Sequence, residues 1–145
     1  MSEAHRLALP DVNVLVALTN PNHLHHDLAH EWFASVTRFA TTPITESGLL
    51  RLSLNPAVTR QEVAPAQAIA TLNSVRHDER AEFLADTTTL AAPRIDLSAL
   101  AGHRQVTDLH LANLAASSNA VLVTFDRGLP DALIRADRKH VQLIG

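Results

Sequence analysis

Four times along this chain an apolar stretch gives way to helix-start chemistry. A carboxylate stands at or near each change: Asp11, Glu46, Asp108 and Asp126. Strands that alternate with helices fold into a mostly parallel sheet covered on both faces, so the expected class is α/β. In an open sheet of that kind the strand ends along one edge gather around a single crevice. Four acids distant in sequence are therefore expected to meet in space.

The element order follows from local signals. Leu7-Ala8-Leu9 reads as a short buried strand closed by Pro10, while Val14–Leu18 is apolar throughout and periodicity alone does not decide its type. Thr19–Asn22 is a turn cluster. Leu24, Leu28, Trp32 and Val36 recur every fourth residue and predict a helix over 23–37, followed by a candidate strand over 38–41. Thr42 is a good N-cap and Pro43 suits the first helical position, so a helix carrying Glu46 runs from there to Asn55-Pro56. Pro65 opens another, with Ile69, Leu72 and Val75 as its apolar stripe. Phe83–Ala85 is a candidate strand, and Asp96–Leu100 reads as a short helix stopped by Gly102. Thr107 is expected to cap a helix running to about Ser118, with Asn119 as its stop. Ala120–Thr124 is the clearest strand, Asp126–Pro130 turns away from it, and Val141–Ile144 closes the chain as a last strand. At 145 residues the expectation is one domain spanning 1–145.

Composition narrows the chemistry. There is no Cys, which excludes disulfides, thiolate zinc sites and thiol nucleophiles. Aromatics make up only 3%, so the core is built from Ala, Leu and Val. The net charge of −3 argues against a general polyanion binder. All basic residues but Lys139 are Arg, the side chain suited to bidentate phosphate contacts. The first nine residues lack a signal-peptide layout, and the longest apolar run falls far short of the ~20 residues a membrane helix needs. A soluble cytoplasmic protein with no membrane partner is expected.

Taken singly, each acid has an ordinary explanation, because carboxylates near helix starts gain about 0.3–1 kcal/mol from the helix dipole. The set does not. Two unit charges about 5 Å apart repel by about 3 kcal/mol at an effective dielectric of 20, and capping does not offset several such terms. A divalent cation does. Oxygen-only ligands favour Mg²⁺ or Mn²⁺ over Zn²⁺, and such an ion binds phosphate oxygens and lowers the pKa of a water. Asn13 and Thr124 stand where they could hold a ligand or a water, or simply bond their own turn and strand. Arg51, Arg104 and Arg127 lie near the acids in sequence, placed either to contact phosphate or to balance charge.

Four segments together resemble the PIN-domain ribonucleases, and more narrowly the VapC toxins of bacterial toxin–antitoxin pairs. They are Pro10-Asp11-Val12-Asn13-Val14-Leu15, Thr42-Pro43-Ile44-Thr45-Glu46 with Leu50, Arg104-Gln105-Val106-Thr107-Asp108 with Leu111 and Leu114-Ala115, and Leu122-Val123-Thr124-Phe125-Asp126-Arg127. His25-His26 followed by Trp32-Phe33 is similar to the family's second helix. The resemblance implies a PIN-like three-layer α/β/α sandwich and endonuclease cleavage of structured RNA, transfer or ribosomal, with Mg²⁺ or Mn²⁺. It implies Asp11, Glu46, Asp108 and Asp126 as catalytic metal ligands, Asn13 and Thr124 as support, a homodimer, and a VapB-type antitoxin covering the acidic groove. Many relatives carry an aromatic shortly after the fourth acid, where this chain has Leu129; some have a further acid, for which Asp131 is the nearest match.

Other readings compete. His26 and His30 share a helix face at a spacing that can hold Zn²⁺, but no third ligand is evident. Acid-cluster phosphatases and phosphotransfer domains also gather carboxylates at strand ends, but one needs a second Asp where Asn13 stands and the other a Lys earlier than Lys139. A non-catalytic RNA- or partner-binding module is the third alternative.

Overall fold

A computed structural model describes residues 6–145. The expected absence of a signal-peptide layout concerns a stretch whose first five residues lie outside the described ones. Five strands form one sheet: β1 (Leu7–Pro10), β2 (Phe39–Thr41), β3 (Ala81–Phe83), β4 (Ala120–Thr124) and β5 (Val141–Leu143). The order is β3-β2-β1-β4-β5 and every pairing is parallel. The chain steps outward from β1 through β2 to β3, then returns beside β1 as β4 and steps the other way to β5. The direction of winding therefore reverses between β1 and β4, which is where ligands bind in sheets of this type.

The helices are α1 (Val12–Thr19), α2 (His26–Ser35), α3 (Pro43–Ser53), α4 (Pro56–Thr59), α5 (Pro65–Arg76) and α6 (Val106–Ser117). Side-chain alternation along the strands splits the core into two layers. Leu7, Leu9 and Leu122 pack with Leu109, Leu111 and Leu114 of α6 on one face of the sheet. Ala8 and Val123 pack with Val14, Leu15, Trp32, Phe39, Leu49 and Val75 on the other. The result is the expected three-layer α/β/α sandwich with a parallel centre. Among the described residues, no helix is long and apolar enough to cross a membrane.

The ambiguous run Val14–Leu18 is helical and buried on every side, which is why no apolar period shows in it. Thr42 caps α3 as read, and its hydroxyl and that of Thr45 close a reciprocal box with the two backbone N–H groups. Asn119 takes a left-handed φ of 51° just beyond α6.

Other boundaries differ from the sequence reading. The second helix starts at His26 rather than residue 23, leaving Leu24 outside it and 89% exposed. On α5 the buried residues are Ala68 and Val75, and Ile69 faces out. Asp96–Leu100 is not a helix: the Asp96 carboxylate accepts the Ser98 N–H at 2.8 Å and holds a tight turn instead. Thr107 is not a cap, because a 3₁₀ turn at His103–Gln105 runs directly into α6 and puts Thr107 inside the first turn. The short α4, capped by Asn55, gives no apolar period to read. Leu129 is fully buried against α6, so it fills core space.

Candidate active site

The chain leaves β1 at Pro10, and Asp11 becomes the N-cap of α1 with its Oδ1 accepting the Val14 N–H at 2.9 Å. Its backbone N–H donates to the Val123 carbonyl at 2.9 Å, so the carboxylate is pinned beside the end of β4. There the Thr124 hydroxyl donates to Asp11 Oδ2 at 2.6 Å and accepts the backbone N–H of Asp126 at 3.0 Å. One buried hydroxyl thus ties the first acid to the fourth across the point where the winding reverses. Asp126 itself is exposed and shapes its turn by accepting the Gly128 N–H at 2.9 Å.

Asp108 arrives from the first turn of α6. Burial, followed by the nearby charges of Asp11 and Asp126, pushes its carboxyl up to about 6. Asp11 is also raised, chiefly by burial, against the opposing pull of its bonds to Thr124 and Val14, with Asp126 adding repulsion. Among the described residues none of these three aspartates forms an ion pair with a basic side chain. Among the described residues no ion pair offsets their mutual repulsion.

Glu46 stands differently. It sits in the first turn of α3 as expected, but its carboxylate accepts from the Thr41 hydroxyl at 2.7 Å and from Arg76 at 3.0 Å. The charges that raise Asp108 are those of Asp11 and Asp126, and the charge that raises Asp11 is that of Asp126. Three of the four expected acids thus act on one another electrostatically, and the fourth is engaged by an arginine from the end of α5. Among the described residues, no three His, Asp or Glu side chains converge as a ready-made metal cage. The donor set nonetheless suits a hard divalent cation, being all oxygen, partly buried and uncompensated.

Asn13 is exposed on the first turn of α1, beside Asp11, toward which its backbone N–H points. Arg51 is exposed on α3 and Arg104 lies in the 3₁₀ turn before α6. Arg127 donates to the Gly145 carbonyl at 3.2 Å. Asp131 is exposed and 3.9 Å from Arg138, apart from the aspartates' bonds. His26 gives its Nδ1 to the Ala17 carbonyl contact at 2.7 Å and stacks edge-on with His30 at 4.3 Å, a helix-anchoring role with no third ligand.

The sequence reading missed Thr41, Arg76, and a paired His110 and Asp86. Thr41 had a signal, because it precedes the cap residue and alternation in β2 predicts its face. Arg76 and Asp86 had none, since each meets its partner only after long stretches of chain have folded back.

The chain matches the PIN domain model over residues 8–134. It is 45% identical to Ribonuclease VapC39 of Mycobacterium tuberculosis over 128 residues, covering 86% of this chain and 92% of that protein. It is 42% identical to Ribonuclease VapC38 of the same species over 140 residues, covering 95% of this chain and 98% of that protein. Its fold is similar to that in a crystal structure of VapBC2 from Rickettsia felis bound to a DNA fragment from their promoter, with a TM-score of 0.55 over 96% of this chain and 99% of that one. Sequence identity in that pair is 16%, so the likeness speaks for the fold.

Proposed function

The chain belongs to the PIN-domain family, within its VapC group, and on that premise we propose that it is a metal-dependent endoribonuclease acting as the toxin of a toxin–antitoxin pair. One observation carries the reading: at the edge where the sheet reverses its winding, the charge of Asp126 acts on both Asp11 and Asp108, and no basic side chain is ion-paired to these three among the described residues. That is the electrostatic signature of a site completed by a cation. Membership in this family sets aside the phosphatase and phosphotransfer alternative.

Asp11, Asp108 and Asp126 would hold Mg²⁺ or Mn²⁺, and Glu46 would act as the fourth ligand on release from, or in concert with, Arg76. The bound ion would supply charge neutralisation at the phosphate and a water of lowered pKa. The chain's own residues do the rest. Thr124 fixes the orientation of Asp11 through its 2.6 Å bond and keeps Asp126 in register through the N–H it accepts. Asn13 lies at the exposed rim, suited to orienting water or a ribose hydroxyl. Arg51, Arg104 and Arg127 would position the RNA backbone without reading its sequence.

The substrate on this reading is structured RNA, transfer or ribosomal, met in the cytoplasm. The partners are a second copy of the chain and a VapB-type antitoxin whose chain covers the acidic groove. The test is to express the protein without its antitoxin and sequence the new RNA ends. Discrete 5′ ends that appear with the wild type and vanish with Asp11→Asn are expected. Identical RNA ends in both strains would defeat the proposal.

A further inference from the structure

Beside the three aspartates lies a groove of about 760 Å³ that the cleavage chemistry leaves unused. It shares a wall with the acidic site, because Val12, which follows Asp11, and Thr107, which precedes Asp108, both line it. Ile44, Leu90 and Val106 give it apolar surface, and Arg51 adds a positive charge. His110 lines it too, held by a 2.5 Å contact from Nε2 to Asp86 Oδ2. Asp86 is itself fixed, since its other oxygen accepts the N–H and the hydroxyl of Thr88 at 3.3 and 3.2 Å. The imidazole is therefore oriented. Its Nδ1 has no protein hydrogen-bond partner among the described residues, which leaves that nitrogen available to a ligand in the groove that His110 lines.

These three chemistries suit one kind of occupant. Apolar side chains pack against the face of a base, an oriented imidazole nitrogen bonds its edge, and an exposed guanidinium takes a phosphate. A base locked in a duplex offers none of its Watson–Crick edge, so the occupant must be unpaired. We propose that this groove binds the unpaired nucleotide flanking the scissile phosphate, with His110 reading the base, Asp86 positioning His110, and Arg51 holding the backbone. The inference rests on the nuclease reading above and adds to it a place where sequence preference resides.

The test has two arms. In the first, wild type, His110→Ala and Asp86→Ala are each given a pool of stem–loop RNAs with randomised unpaired loops, and the cut sites are sequenced. The wild type is expected to favour one base at the flanking position. Both variants should lose about 2–10-fold of that preference, the worth of one hydrogen bond, with a larger effect on KM than on kcat. In the second arm, the cleavage-dead Asp11→Asn protein is titrated with a short single-stranded oligoribonucleotide at several salt concentrations. Adding Arg51→Ala, an exposed position that does not endanger folding, should lower the salt slope by about 0.7, the contribution of one phosphate contact. An unchanged base preference together with an unchanged salt slope would overturn the proposal, and is the pattern expected if the groove serves a protein partner instead. A wild type that cuts neither this pool nor folded transfer or ribosomal RNA would show that the nuclease reading itself has failed, and this assignment with it.

Discussion

Asp108 is electrostatically strained by its burial and by its acidic neighbours. Its carboxyl sits at about 6 against an ordinary 3.8, raised first by burial and then by Asp11 and Asp126. Between those two values the folded chain binds more protons here than the unfolded chain does. Stability from this group is therefore full below pH 3.8 and is lost as pH rises toward 6. Asp108→Asn removes the penalty, so in metal-free protein at pH 7 it should be more stable than wild type by about 1–2 kcal/mol, after allowance for partial solvent screening. Thermal melts in chelator should show a gain of a few degrees at pH 7 that disappears near pH 4; a constant gain across that range would point to packing instead. Asp11→Asn should behave differently. The amide oxygen still accepts the Val14 N–H, and the Thr124 hydroxyl can turn to accept from the amide nitrogen. Cleavage should be lost with the melting temperature nearly unchanged; cutting at the wild-type rate would refute the assignment of Asp11.

At the scale of elements, the site depends on how closely α1 and α3 approach. Gly48 on α3 faces Val12, and a Cβ there would lie 2.5 Å from a Val12 γ-methyl. Val is β-branched and cannot swing aside within the helix. Gly48→Ala would gain about 1 kcal/mol in helix propensity, but overpacking of this kind costs about 1–3 kcal/mol. The expected net result is a lower melting temperature, together with weaker Mn²⁺ binding by calorimetry because Val12 directly follows Asp11. A more stable variant with unaltered metal affinity would show that the two helices separate freely. The start of α3 was legible because its signal is local: Thr42 and Thr45 exchange bonds with backbone three residues away. The start of α6 was misread because Thr107, a residue type that often caps, follows a 3₁₀ turn that already supplies the first helical bonds.

The whole molecule brings β1 and β4 together although more than 100 residues separate them, and the acids inherit that pairing. A site formed only by the folded sheet has no counterpart in the unfolded chain, so any ion it binds must stabilise the fold. Mg²⁺ or Mn²⁺ at 100-fold over its Kd should add about 2.7 kcal/mol. Differential scanning fluorimetry should register this for the wild type and much less for Asp11→Asn. Equal shifts in both proteins would place the ion elsewhere.

Sequence alone was enough to establish the alternation of strands and helices, the α/β class and the family resemblance, and to single out four candidate acids. Those features are carried by short-range signals: periodicity, caps, turns and motifs a few residues long. Tertiary structure decided which of the acids share a field. It set three aspartates against one another, engaged Glu46 with Arg76 thirty residues away, and oriented His110 with Asp86 across 24 residues. Such pairings follow from strand order and register, which arise only when the two core layers close on the sheet. No local stretch of the chain encodes them, because the free energy that selects them belongs to burial of the whole core.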